Sequence, residues 1–226
     1  VSSEVKIGPD GAVAASVGNK LYISPSGDVN GFVLRSTGVG ADSLPMESIA
    51  RIEVAFAPSD ASTIYAVLVA DGTNSSYILG QLQGIYVSKD KGVTWRLIGP
   101  GASTLFNVFG NSANTVHRGD YSASIVVNAT NPDKVYLGGV EIWEGEKIQE
   151  TGFFQWQQKS LGDAGTYFHT IVPDPVNNGV FYLASDKGLA SSEDGLFSYK
   201  NLNRNYLTSM FYTVAFDDKG RTIGGT

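Results

Sequence analysis

The chain has 226 residues, with 22 acidic against 16 basic side chains, a net charge of −6 and no cysteine. An acidic surface without a Lys/Arg block repels phosphate backbones, so nucleic acid is not an expected partner, and the absence of thiols excludes disulfides, thiolate metal centres and a cysteine nucleophile. No apolar run approaches the ~20 residues of a membrane helix, and the first residue is Val with no charged and apolar leader pattern behind it, as expected of a processed chain or a piece of something longer.

In chain order the sequence repeats one phrase: an alternating segment, a turn containing Pro, Asp or Gly, then a second and a third apolar segment. The copies start at Val5 (VKIGPDGAVAASVGNKLYIS), Ile52 (IEVAFAPSDASTIYAVLV), Ser124 (SIVVNATNPDKVYLGGVEIWEG), Thr170 (TIVPDPVNNGVFYLASDKGLASSEDG) and Thr213 (TVAFDDKGRTIGG). With Val13, Tyr65, Tyr136, Tyr182 and Ile223 taken as equivalent, the steps are 52, 71, 46 and 41 residues. Propeller blades repeat at ~40–50 residues, and the long step marks a unit with grown loops. Each complete unit closes on a further segment: FVLRSTG at Phe32, TWRLIG at Thr94, FFQWQQKS at Phe153 and LFSYKNLN at Leu196. Four short strands per unit with regular turns predict an all-β fold, a β-propeller of four-stranded antiparallel blades. The predicted blades run over 1–48, 49–118, 119–164 and 165–206, with part of a fifth over 207–226, all within one domain or a fragment of a larger propeller. One blade cannot bury both its faces, so several must stack around an axis.

The second unit contains SKDKGVTW, in which Ser88, Asp90, Gly92, Thr94 and Trp95 follow the spacing S-x-D-x-G-x-T-W. This stretch resembles the Asp-box, or BNR repeat, of sialidases, sortilin-type receptors and xyloglucan-active glycosidases. A degenerate copy lies at Ser192, Asp194 and Tyr199, where Leu196 stands in the glycine position; SPSGDVNGF at Ser24 and the turn from Glu144 are weaker echoes. The chemistry of the motif is structural. A short Asp accepts hydrogen bonds from its own turn, Gly supplies a φ that other residues resist, Ser and Thr tie the flanking strands, and Trp buries its ring between blades. The resemblance places these turns between the third and fourth strands of a blade, on the rim opposite the loops that usually carry function.

That register moves attention to the approaches to each first strand. Arg51, Ser122, Phe168 and Phe211 are equivalent in the repeat, and the candidate ligand-binding residues are Arg51, His117, Arg118, Tyr121, Tyr167, Phe168, His169, Tyr206 and Phe211. Aromatics with a few polar groups suit sugar or peptide contact, and the same residues also fit packing near the axis. The string HRGDY from His117 contains an integrin-type tripeptide, a short match that equally fits a turn. His117 and His169 lack a matching carboxylate motif for a base or metal pair.

An enzyme of the resembled families needs more. A sialidase clamps a carboxylate with an arginine cluster and uses a Tyr nucleophile paired with an acid; the six arginines here, at 35, 51, 96, 118, 204 and 221, lack the family's Arg-containing lead motif before the first box. A xyloglucanase-like hydrolase needs two carboxylates, for which Asp120 and Asp163 are the weak candidates, each of which also fits a turn cap. GDVNG at Gly27 carries only a fragment of a calcium-loop pattern, so neither a metal nor a cofactor is expected. Asn74 and Asn128 begin formal glycosylation sequons. The expectation is an extracytoplasmic, secreted or cell-surface propeller that binds protein or glycan at the channel-mouth loops without chemistry of its own. The alternatives are a glycoside hydrolase completed by residues beyond this chain, and an assembly or stability factor of a membrane complex.

Overall fold

The computed structural model describes residues 3–38, 40, 42–74, 76–101, 106–110, 117–159, 167–203, 213–217 and 222–225. They form eighteen strands and no helix: β1 Ser3–Ile7, β2 Val13–Val17, β3 Lys20–Ser24, β4 Val33–Leu34, β5 Ile49–Ala57, β6 Asp60–Ala70, β7 Leu82–Ser88, β8 Arg96–Pro100, β9 Ser124–Val127, β10 Lys134–Gly138, β11 Ile142–Lys147, β12 Phe154–Lys159, β13 Phe168–Pro173, β14 Phe181–Ser185, β15 Gly188–Ser192, β16 Lys200–Asn201, β17 Thr213–Phe216 and β18 Thr222–Gly225. Four consecutive four-stranded antiparallel meanders, β1 to β4, β5 to β8, β9 to β12 and β13 to β16, are followed by the pair β17–β18. The chain is an all-β protein built of propeller blades.

The first strand of each blade contacts the first strand of the next, β1 against β5, β5 against β9 and β9 against β13, so these four strands are innermost. Period-two alternation then assigns each side chain to one of two interfaces. Along β6, Ile64, Ala66 and Leu68 face the core shared with the first blade, while Tyr65, Val67 and Val69 face the core shared with the third. A blade packed on both faces reads as a continuous apolar run, which is why TIYAVLVA is buried throughout. The first blade alternates instead: in β2, Ala14 and Ser16 are buried and Val17 is exposed. A third core, around Tyr136, Phe168, Phe181 and Leu183, joins the third blade to the fourth.

The turns divide between two rims. One carries the turns between first and second and between third and fourth strands. There Ser88 Oγ donates to Asp90 Oδ1 at 2.8 Å, Asp90 accepts from Thr94 N at 2.8 Å and from Thr94 Oγ1 at 2.7 Å, and Trp95 Nε1 donates to the Gly92 carbonyl at 3.1 Å. The Trp95 ring is buried against Leu21, Ile23 and Leu44 of the first blade. The turn from Ser192 repeats the arrangement, with Asp194 accepting from Ser198 N and Oγ at 2.9 and 2.5 Å. Both turns need two consecutive residues of positive φ, Lys91 and Gly92 in one and Gly195 and Leu196 in the other. The glycine has moved one place, so Leu196 carries a left-handed backbone and supplies buried packing against the third blade.

Candidate functional site

The opposite rim carries the approaches to first strands and the turns between second and third strands. Tyr121 sits in a tight turn before β9, closed by Tyr121 N to Arg118 O at 3.0 Å and Ser122 N to Arg118 O at 2.7 Å. Tyr167 precedes β13 with φ +58, a left-handed value that is uncommon for a bulky residue. It is shared by Ser48 (φ 58), which precedes β5 in the same place, so the repeat itself demands the kink. Immediately after Tyr167 the β13–β14 ladder slips between Phe168 and Thr170. This bulge breaks the alternation, leaving His169 and Thr170 both exposed, and re-aims His169 to the rim.

These backbone features bring Tyr121 and His169 onto Asp186 in the β14–β15 turn, with the Tyr167 ring against Tyr121. Asp186 Oδ1 accepts from Tyr121 OH at 3.0 Å and lies 2.7 Å from His169 Nε2. The Tyr121 ring meets the His169 ring edge-to-face at 4.9 Å and the Tyr167 ring at 6.0 Å. Tyr121 remains 47% exposed, and the imidazole and carboxylate keep 37% and 35% of their side-chain surface open. The result is a solvent-facing aromatic platform with an anchored hydrogen-bonding edge, made from two blades.

Nearer the axis, Arg51 on β5 donates from Nε to Glu53 Oε1 at 2.5 Å and from Nη2 to the Ala123 carbonyl at 3.2 Å, joining the second blade to the third. On β1, Glu4 accepts from Val54 N at 2.9 Å and pairs with Lys6 at 2.7 Å. Glu53 is buried between them. Burial pushes its carboxyl up to about 8, Glu4 beside it adds to the rise, and Arg51 opposes it. Arg51 is therefore a strut between blades at this level, held by a carboxyl and two carbonyls.

The remaining sequence candidates divide as follows. Phe168 is 1% exposed and packs in the core between the third and fourth blades; the bulge that exposes His169 turns Phe168 inward, so its ring is packing and not a ligand contact. His117 is 5% exposed and bridges Gly110, which likewise removes it from the surface. Arg118 N donates to Phe109 O and Gly119 N to Gly80 O, so the Arg-Gly-Asp turn is fastened to the second blade. The Asp120 carbonyl faces Arg51 Nη1 at 3.5 Å. Asp163, Tyr206 and Phe211 lie outside the described residues. Asn128 is 7% exposed and its Oδ1 accepts from Thr130 N and Asn131 N; it caps a turn, and its amide is not presented for glycosylation. Among the described residues no group of three or more His, Asp or Glu is placed to hold a metal.

Sequence reasoning missed Asp186 and Glu53. Asp186 in SDKG looks like any turn aspartate, and nothing in the local sequence sets it apart. Glu53 had a signal, a charge inside the apolar innermost strand IARIEVAFA.

No protein-family model and no curated protein sequence matches the chain. Among solved structures it is similar to the GH74 xyloglucanase of Xanthomonas campestris, with a TM-score of 0.60 and 16% identity, over 96% of this chain and 32% of that one. It is also similar to an ancestral GH74 enzyme, with a TM-score of 0.56 and 17% identity, over 97% of this chain and 27% of that one. The chain thus spans about a third of the length of these structures, and the likeness shows the propeller fold.

Proposed function

We propose that this propeller is a non-catalytic binding module that takes carbohydrate at the Tyr121, Tyr167, His169 and Asp186 rim. The observation that carries the reading is the convergence of the Tyr121 hydroxyl and the His169 imidazole on the Asp186 carboxylate at an open surface, with the Tyr167 ring packed against Tyr121. Ring faces stack on the C–H faces of pyranoses, and an oriented carboxylate accepts hydrogen bonds from hydroxyls. The seat is formed by loops of two blades on a rigid scaffold, the ordinary place for recognition. We further infer that the turns from Ser88 and from Ser192 are Asp-boxes, supported by their shared hydrogen-bond set. Because glycan polymers of the xyloglucan type lie outside cells, an extracytoplasmic location belongs to the same proposal.

The test is isothermal titration of the full chain against a panel of neutral oligosaccharides, with reporter glycosides assayed in parallel. Binding without turnover is expected, with Tyr121→Ala and Asp186→Ala each weakening it at least ~10-fold, or ~1.4 kcal/mol, while thermal stability stays close to wild type. Binding undiminished in both variants removes the rim from the function, and turnover of any glycoside replaces the binding module with a hydrolase.

A further inference from the structure

A second polar cleft opens on the other rim, between the third blade and the turn that carries Asp194. Its volume is about 280 Å³, just below the ~300–1,000 Å³ typical of small-molecule sites, which is room for one ring, such as the terminal residue of a chain. Its walls come from β9 to β12 on one side and from the β13–β14 and β15–β16 turns on the other.

Two side chains in its wall are more than nine-tenths buried and make only long contacts there. The Lys159 side chain is 4% exposed, with Nζ 3.4 Å from Glu144 Oε2 and 3.4 Å from Gln157 Oε1. Asn128 is 7% exposed; its Nδ2 reaches Tyr136 OH and Asn178 Oδ1 only at 3.5 Å each. Buried donors normally hold acceptors at 2.7–3.2 Å, so both line the cleft with weakly held N–H groups that a ligand oxygen inside it would satisfy at shorter range. The charges are already balanced: Lys134 pairs with Glu144 and Glu146 at 3.2 and 3.3 Å, and Lys159 pairs with Glu144. A ligand with its own charge would leave one buried charge uncompensated, which costs several kcal/mol. At the mouth stands Phe197, 72% exposed, whose ring centroid lies 4.3 Å from Lys159 Nζ. The Phe197 ring therefore stands over the Lys159 ammonium, with most of its surface open to solvent.

We propose that this cleft binds one uncharged pyranose ring, stacked on Phe197 and hydrogen-bonded through its hydroxyls to Lys159, Asn128 and Gln157. The proposal deepens the glycan reading above by adding a second subsite on the opposite rim. Two contact points on opposite rims let one propeller link separate chains of a polysaccharide, with avidity that neither site has alone.

The experiment is saturation-transfer difference NMR on the full chain with methyl β-D-glucopyranoside and, separately, methyl β-D-glucuronopyranoside. The neutral glycoside is expected to bind in the millimolar range, about −4 kcal/mol, and the uronide more weakly. Phe197→Ala and Gln157→Ala, both changes at exposed positions, should weaken the neutral glycoside at least ~10-fold with unaltered melting temperature, while Tyr121→Ala leaves the cleft signal in place. No signal from the neutral glycoside, a stronger signal from the uronide, or binding undiminished by Phe197→Ala each overturns the proposal. A signal abolished by Tyr121→Ala and kept by Phe197→Ala overturns this subsite and leaves the rim reading standing; the reverse pattern supports the cleft, and the rim reading is then decided separately by the oligosaccharide titrations of Tyr121→Ala and Asp186→Ala.

Discussion

At the scale of single residues, Glu53 is the side chain whose environment departs most from its sequence context. It is a carboxyl buried on an innermost strand between a second carboxylate and an arginine. Its folded value, about 8, lies above the ordinary carboxyl value of 4.5, so the folded chain holds a proton that the unfolded chain releases. Stability from this group is complete below pH ~4.5 and is lost as the pH rises towards 8, with a limiting slope of ~1.4 kcal/mol per pH unit. Glu53→Gln keeps the shape and removes the titration. Urea melts at pH 5 and pH 8 should show the wild type losing more stability over that interval than the variant; equal losses would mean that Glu53 ionises normally. Asp194 behaves in the opposite sense. The Ser198 hydroxyl and amide hold it down at about 2, so its contribution is present above the ordinary aspartate range and disappears only as the pH falls towards 2.

At the scale of elements, two local devices set the function-bearing geometry. The turn from Ser88 satisfies its own backbone through Asp90, which accepts from both the amide and hydroxyl of Thr94, and it delivers Trp95 to the interface with the first blade. Asp90→Ala removes these bonds and should lower stability by about 1–2 kcal/mol, read as a shift of the urea midpoint, with oligosaccharide affinity unchanged in the folded protein. A binding defect at full stability would instead put Asp90 in a site. The second device is the bulge in β13. It exchanges the faces of Phe168 and His169, burying the larger apolar ring and exposing the imidazole beside Asp186. Strict period-two reading makes Phe168 the rim residue, and the one-residue slip reverses that assignment.

At the scale of the whole molecule, stability resides in the interfaces between blades, since no blade encloses a core of its own. The interface between the second and third blades is tied by polar bonds as well as by packing. Tyr65 OH donates to the Pro132 carbonyl at 2.7 Å, and Asp133 accepts from Lys89 at 2.8 Å across the same junction. Burial raises the Tyr65 phenol well above its usual range, so it stays a neutral donor at every working pH. Tyr65→Phe leaves the ring packed and strands a carbonyl; an expected loss of about 1–2 kcal/mol in a single cooperative transition would show that the blades unfold together. Two separated transitions in the variant would show that they do not.

The repeat, its four-stranded unit and the register of the polar turns were legible from residue order, because alternation and turn chemistry act over a few neighbouring residues and recur from blade to blade. The same local logic identified Ser88, Asp90, Gly92, Thr94 and Trp95 as a self-satisfying turn, and it pointed to the rim that holds Tyr121, Tyr167 and His169. What only the tertiary structure decided is which of those residues meet. Asp186 joins Tyr121 from 65 residues away, Glu53 finds Glu4 on the neighbouring blade, and Phe168 and His117 are drawn into packing. Such pairings depend on how one blade twists against the next and where a ladder slips by a residue, distances set by long-range packing that no short window of sequence contains.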